Sequence, residues 1–374
     1  MLYCAESVGR GHPDKMADQM ADYLLDAYLA VDPLAKVAIE VMIKNNLIVV
    51  AGEVASSTTI KIDRYVRRWL REVGFIDEAF GANHAVIINK VEEQSEELNH
   101  ILTSAEAMPA GDQGYQDGFA CDDTEYLMPI PIDLAHRLMH ACHQLSSVDY
   151  GYDAKAFVNM GLAPTGGFVL SHLVLSIQHH EHKVLSELRE EIMDAVIKPI
   201  VPNEYLSEDT IIQINPAGSF IKGGPLADCG VTGRKLMVDT YGGAQCHGGG
   251  AFSGKDPSKI DRSGAYFARY LAKNIVASGI AKRAHVRLAY AIGQCDPIGI
   301  HVDLEGHSAY TNEYVTHMLQ QMVSCQPQAM IDRLQLNQVS YQDTAVLGHV
   351  GRFAIDKSWE ALDLVDQMRD YVGE

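Results

Sequence analysis

The stretch Gly248–Lys259, GGGAFSGKDPSK, joins glycines to lysines as a phosphate-holding loop would. Glycine lets backbone N–H groups approach anionic oxygens, and lysine adds charge. From Gly249 the spacing follows G-x-x-x-x-G-K-[ST] as far as Lys255, but Asp256 stands where the magnesium-binding hydroxyl belongs. No run of buried aliphatics leads directly into the loop, so a Walker-type loop is disfavoured. A different polyphosphate pocket fits better: Arg234, Lys235, Lys255, Lys259 and Arg262 cluster in one short span, interspersed with Gly242, Gly243, Gly248, Gly249, Gly250 and Gly254. Asp256 and Pro257 read as N-cap and first helical residue, and Ala265, Ala268, Leu271 and Ile275 continue an apolar stripe. The glycines would then feed a helix N-terminus, which favours phosphate. The competing reading of this stretch alone is a glycine-rich turn with solvated lysines.

A second cluster is ESVGRGHPDK. Pro13 fixes the backbone beside His12, and Asp14 offers carboxylate oxygen to magnesium, a hard cation. As a bare tripeptide, His-Pro-Asp is more often a turn than a site. Glu40 and Glu53 sit among alternating apolar residues, where a solvated sheet face explains them equally well. Lys155 and Phe220 say little in isolation, and Phe220 reads as core. The run QHHEHK, with His179, His180 and His182, matches no metal-ligand spacing and reads as a solvated turn between strand and helix.

These residues must be positioned by something larger. Val37, Ile39, Val41 and Ile43 alternate, Asn45 and Asn46 turn, LIVVAGEV returns, and Ile62, Tyr65, Val66, Trp69, Leu70 and Val73 form a helical stripe ended by Gly74. The same order recurs as KAFVNM, APTGG, FVLSHLVLSI and a helix bearing Leu185, Leu188, Ile192 and Val196. It recurs again as Val286, Leu288, Tyr290 and Ile292, the turn QCDP, the strand IGIHVDL, and a helix after a Thr311 cap. Three hairpin-plus-helix units predict an α+β fold of three similar sheet-plus-helix subdomains with pseudo-threefold symmetry. The spans are 1–100, 101–227 and 228–374, interlocked because no low-complexity linker divides them. A mobile loop is expected at about 94–111, where QSEELNHILTSAEAMPAGDQG has weak periodicity apart from a short helical stretch, SEELNHIL.

Bulk properties restrict the partners. A net charge of −19 opposes nucleic acids and anionic membranes, both polyanions. Seven scattered cysteines without CxxC spacing suggest neither a disulfide framework nor a zinc site, so a reducing cytoplasm is expected. Neither a signal-type apolar segment nor a membrane-length apolar run is present.

Taken jointly, GHPDK, AGDQG, DAK, GGPLADCGVTGRKLMVDTYGG and HGGGAFSGKDPSKIDRSGAYFARYLAKNIV closely resemble the S-adenosylmethionine synthetase family, with all motifs in family order from about Ala5 to Trp359. The resemblance implies attack of methionine sulfur on ribose C5′ of ATP, expulsion of triphosphate, and its hydrolysis to pyrophosphate and phosphate. It implies that His12 stabilises charge at the breaking bond, with Lys155, Arg234, Lys235 and Lys255 also catalytic. On the nucleotide side stand Asp112, Asp153, Ser219, Phe220, Asp228 and Ala251; around methionine, Glu53, Gln94, Asp228 and Lys259. Asp14 and Asp261 would hold magnesium and Glu40 potassium. The family works as a homodimer with active sites between subunits, usually paired into a homotetramer. Two departures stand out: Ser219 replaces the usual arginine before Phe220, with Lys222 a candidate substitute, and Arg10 adds charge beside His12. The loop after Gln94 is also unusual in sequence, and with Ser219 it leaves open a paralogue with altered nucleotide or amino-acid preference; a catalytically weak regulatory subunit is the alternative from another class.

Overall fold

The structure, a computed structural model, describes residues 3–74, 80–94, 108–145, 147–163, 166–306 and 308–373. Most of the expected 94–111 loop, residues 95–107 with its SEELNHIL stretch, lies outside the described residues.

Each of the three sheets is built around one of the foreseen hairpins. The first contains β2 (Lys36–Lys44) and β3 (Leu47–Ala55), with β4 (Val86–Glu93) parallel to β3. Val37, Ile39, Val41 and Ile43 are all at most 1% exposed, so alternation buries one sheet face. The second contains β6 (Tyr150–Leu162), β7 (Phe168–His179) and a parallel β8 (Ile211–Ile214). The third contains β10 (Arg283–Tyr290) and β11 (Gly299–Leu304). Ile292, expected within β10, lies beyond it and is exposed.

What the periodicity did not reveal is a strand ahead of each hairpin and a long helix ahead of the first two; the third long helix was expected from its Ala265, Ala268, Leu271 and Ile275 stripe. β1 (Tyr3–Val8) precedes α1 (Pro13–Leu29), β5 (Gly114–Cys121) precedes α3 (Ile130–His143), and β9 (Gly230–Val231) precedes α5 (Ile260–Ala277). Each leading strand joins another unit's sheet: β1 pairs with β6, β5 with β10, and β9 with β2. The three spans therefore exchange strands in a ring. Each long helix packs under the sheet that receives a foreign strand: α1 on β2 and β9, α3 on β1 and β6, α5 on β5 and β10.

The outer helices behave as their stripes foretold. α2 (Ile62–Val73) buries Ile62, Val66, Trp69 and Leu70 and ends on Gly74 at φ 90°. α4 (Leu185–Ile192) follows β7, and α6 (Asn312–Met322) starts on Thr311, whose side chain accepts the Tyr314 N–H at 3.2 Å. Among the described residues two apolar cores result, one spanning the first and third sheets, the other between α3, α4 and the second.

Candidate active site

The interesting residues lie where leading strands turn into central helices. Gly9–Pro13 link β1 to α1, and the backbone of Gly9 and Gly11 bonds the β6 carbonyls of Ala154 and Tyr152. A Cβ on Gly11 would stand 2.5 Å from the Tyr152 Cβ, so only glycine permits this approach. His12 is the N-cap of α1: its Nδ1 accepts the Asp14 N–H at 3.2 Å. The acceptor nitrogen carries no proton, so the hydrogen of the neutral ring is on Nε2. Burial above all, then the charges of Lys235 and Lys155, lower the His12 pKa to about 3. His12 is thus a neutral donor at physiological pH.

A first group of charges surrounds it. Asp14 is 2% exposed; its Oδ1 accepts the Val231 N–H at 3.0 Å and lies 3.8 Å from the Arg234 Nε, and its Oδ2 lies 2.7 Å from the Lys235 Nζ. Burial would raise the Asp14 pKa, but the bonds to Lys235 and Val231 outweigh it and keep the carboxylate ionised. Lys155 and Asp228 act electrostatically on both His12 and Asp153. Asp153 is buried, accepts the Gly224 N–H at 2.7 Å, and has its pKa pushed up to about 6 chiefly by burial. Ser219 is exposed and Phe220 half-buried on an irregular segment joined to this group through Gly224. Since no strand covers 219–222, strand alternation does not decide whether Lys222 substitutes for arginine. Two α3 histidines brace the joint from behind: His136 Nδ1 lies 2.8 Å from the Ser7 hydroxyl, and His143 Nε2 accepts the Arg10 N–H at 2.9 Å. Burial lowers both to about 3, helped by the charge of Lys15 at His136 and of Arg10 at His143. Arg10 itself stacks 4.4 Å from the Tyr152 ring centroid, so its guanidinium is taken up there.

A second group forms on the first sheet and the glycine loop. The Lys255 Nζ lies 2.5 Å from Asp261 Oδ2, and the other Asp261 oxygen accepts from Gln116 Nε2 at 3.1 Å. A Cβ on Gly250 would meet Asp261 Oδ1 at 2.2 Å, so a larger residue there would displace this carboxylate. Glu40 keeps solvent contact; desolvation raises its pKa while Lys255 and Thr232 pull it down. Register places Glu40 opposite Ala51, and Glu53 opposite Ala38 and Glu92, so both candidate carboxylates share one sheet face. Gln94 is buried just past β4, its Oε1 without a partner among the described residues. Lys259 reaches Asp256 only at 3.9 Å. Ala251 abuts Gly233, whose imagined Cβ would come 2.5 Å from the Ala251 Cβ, and Asp112 is exposed, its Oδ1 accepting the neighbouring Gln113 N–H at 2.7 Å.

Three expectations are corrected. α5 begins at Ile260 with Lys259 as N-cap, because Asp256 is buried, accepting the Val37 N–H at 2.8 Å and the Ser258 N–H at 2.9 Å. It ties the loop to β2 instead of starting a helix. Arg262 is fully buried against Asp22, with bonds of 2.8 and 2.7 Å, and is not free for phosphate. His179 is 2% exposed at the end of β7, not in a solvated turn; only His180 and His182 remain there. Gln116 escaped the sequence reading altogether, since an amide in a strand carries no motif.

Among the described residues no three His, Cys, Asp or Glu side chains converge on a metal position. Asp14 and Asp261 instead each hold an ammonium group, which shows a site shaped for positive charge beside a carboxylate. This donor set fits a magnesium ion, which takes one or two carboxylates and completes its shell with phosphate and water.

Comparison with known protein families gives three matches in chain order. Residues 1–96 match the N-terminal domain, 107–220 the central domain and 222–361 the C-terminal domain described for S-adenosylmethionine synthetase.

Proposed function

Because the chain belongs to the S-adenosylmethionine synthetase family and is an ATP:L-methionine S-adenosyltransferase, we propose how its residues divide that reaction. Sulfur of methionine bonds to C5′, the C5′–O5′ bond breaks, and triphosphate leaves before water cleaves it to pyrophosphate and phosphate. A thioether is a neutral nucleophile with no proton to remove. The burden falls on the leaving group, and the neutral His12 meets it as an Nε2–H donor without adding to the cost of burying charge. Lys155, Arg234, Lys235 and Lys255 balance the triphosphate, while Asp112, Asp153, Ser219, Phe220, Asp228 and Ala251 line the nucleoside. Glu53 and Asp228 suit the methionine ammonium and Lys259 its carboxylate, with Gln94 alongside.

The family uses divalent and monovalent metal ions. We assign Asp14 and Asp261 to magnesium and Glu40 to potassium; bound magnesium would neutralise phosphate charge. Lys235 and Lys255, which hold those carboxylates here, are placed to serve phosphate oxygens as well.

The sheet face bearing Glu40 and Glu53 continues into exposed Met42, Val86 and Ile88, and a second copy of the chain would cover it. The first group of one subunit would then meet the second group of its partner in a homodimer, with dimers pairing into a tetramer. Among the described residues no helix is long and apolar enough to cross a membrane, which suits the cytoplasm as the place of action.

The observation carrying the residue assignment is the neutral His12 set beside the Asp14–Lys235 pair. Purified protein with ATP, methionine, magnesium and potassium should yield S-adenosylmethionine, pyrophosphate and phosphate in equal amounts. ADP with phosphate, or ATP binding without turnover, would contradict it.

A further inference from the structure

The segment bearing Phe220 has no regular structure of its own, yet side chains of the β6–β7 hairpin grip it residue by residue. The His179 backbone N–H donates to the Phe220 carbonyl at 2.9 Å, and the His179 Nε2 accepts the Phe220 N–H at 3.1 Å. The other ring nitrogen, Nδ1, lies 3.0 Å from the His180 carbonyl. A carbonyl can only accept, so Nδ1 carries the proton and Nε2 is the bare acceptor. Next along the strand, the Gln178 Nε2 donates to the Ile221 carbonyl at 3.0 Å, and its Oε1 accepts the Asp153 N–H at 3.3 Å. The Asp153 carboxylate then holds Gly224 at 2.7 Å.

We propose that His179 is a positioning residue of the nucleotide site, its Nδ1–H tautomer fixing the Phe220 backbone and so the ring against which adenine packs. The proposal rests on the assignment of Phe220 to the nucleotide. A ring on an unsupported irregular segment would lose conformational freedom on every binding event, and a template made beforehand removes that cost. The need is acute here because Ser219, next to Phe220, contributes no cation to hold the nucleotide.

The test measures ATP dissociation constants by calorimetry, with kcat and KM, for the full-length variants His179→Ala, His179→Gln, His179→Asn and Phe220→Ala. Glutamine puts an acceptor where Nε2 is; asparagine reaches only as far as Nδ1. Ala and Asn should weaken ATP about tenfold and Gln less than about threefold, with kcat at saturating ATP and methionine KM nearly unchanged. If the alanine variant does not fold, the Gln–Asn pair decides alone. Equal ATP affinity for Gln and Asn overturns the proposal, whether both resemble the parent or both are weak. Unchanged affinity in Phe220→Ala overturns the nucleotide assignment beneath it, whereas a weak Phe220→Ala beside a parent-like His179→Asn overturns only the positioning role.

Discussion

The two charge groups each hold a lysine–carboxylate pair but differ in what surrounds it. Around His12 the chain works with buried neutral imidazoles: His12, His136 and His143 are all held near pKa 3 by desolvation and nearby cations. Around Lys255 it works with a lysine–carboxylate pair at the edge of an exposed sheet. The imidazoles of the first group are closed in by β1, α1, α3 and β6, while Lys155 and Arg234 stay exposed. The second opens onto a face with apolar residues and two candidate carboxylates. The difference teaches that the imidazoles of the first group are set by folding alone, while the second group borders a sheet face that the proposed second copy of the chain would cover.

The largest effects should appear when either half loses its key group. His12→Ala and Lys255→Ala should each lower kcat by about 10²–10³, measured at saturating substrates. Only the first should also cost stability, about 1 kcal/mol, because His12 caps α1. Full activity in either variant removes that residue from the mechanism. Within the glycine-loop stretch itself, Arg262→Ala should cost about 3–5 kcal/mol by leaving Asp22 buried without its partner. Urea unfolding reads this directly, and a loss comparable to that of a surface lysine would contradict the division between Arg262 and its neighbours.

Gln116→Leu should raise the magnesium needed for half-maximal nucleotide binding by about tenfold, since Gln116 orients Asp261. Magnesium titration followed by calorimetry checks this without reference to turnover. Co-expression of His12→Ala with Lys255→Ala sharpens the comparison further. If each site takes one group from each subunit, half of the randomly formed dimers are mixed and each has one intact site, so about a quarter of parental activity returns. No recovery would place both groups in one chain's pocket.

The smallest effect concerns acid. His143 has a folded pKa of about 3 against an ordinary 6.5, so between those values the unfolded chain binds a proton that the folded chain refuses. Its contribution to stability is therefore complete above pH 6.5 and is lost as pH falls toward 3. His143→Gln, which cannot titrate but keeps an acceptor for the Arg10 N–H, should show a shallower fall in urea midpoint from pH 6.5 to 4.5 than the parent. Parallel slopes would show that His143 is not responsible.

Much of the fold was legible because its signals are local. Alternation in Val37–Ile43 and the stripe from Ile62 to Gly74 depend on neighbours in sequence, and the structure reproduces them. Leading strands such as the two-residue β9 leave too little pattern to read, and α1 is buried on nearly every side, which blurs a stripe, whereas α5 was legible from Ala265, Ala268, Leu271 and Ile275. Asp256 misled for a related reason: Asp-Pro is a sound helix-start signal, but a hydrogen bond to Val37, distant in sequence, took the carboxylate first.

By itself, the sequence determined the three hairpin-plus-helix units, the concentration of cations in an acidic chain, and the family motifs that specify the reaction. Tertiary structure alone decided how the charges pair: Arg262 disappears into a buried pair with Asp22, while Lys235 pairs with buried Asp14 and Lys255 with half-buried Asp261. It also decided that His12 is neutral and that His179 grips Phe220. The physical reason is that charge state and hydrogen-bond partnership depend on desolvation and on groups brought together by strand exchange, quantities that sequence spacing does not contain.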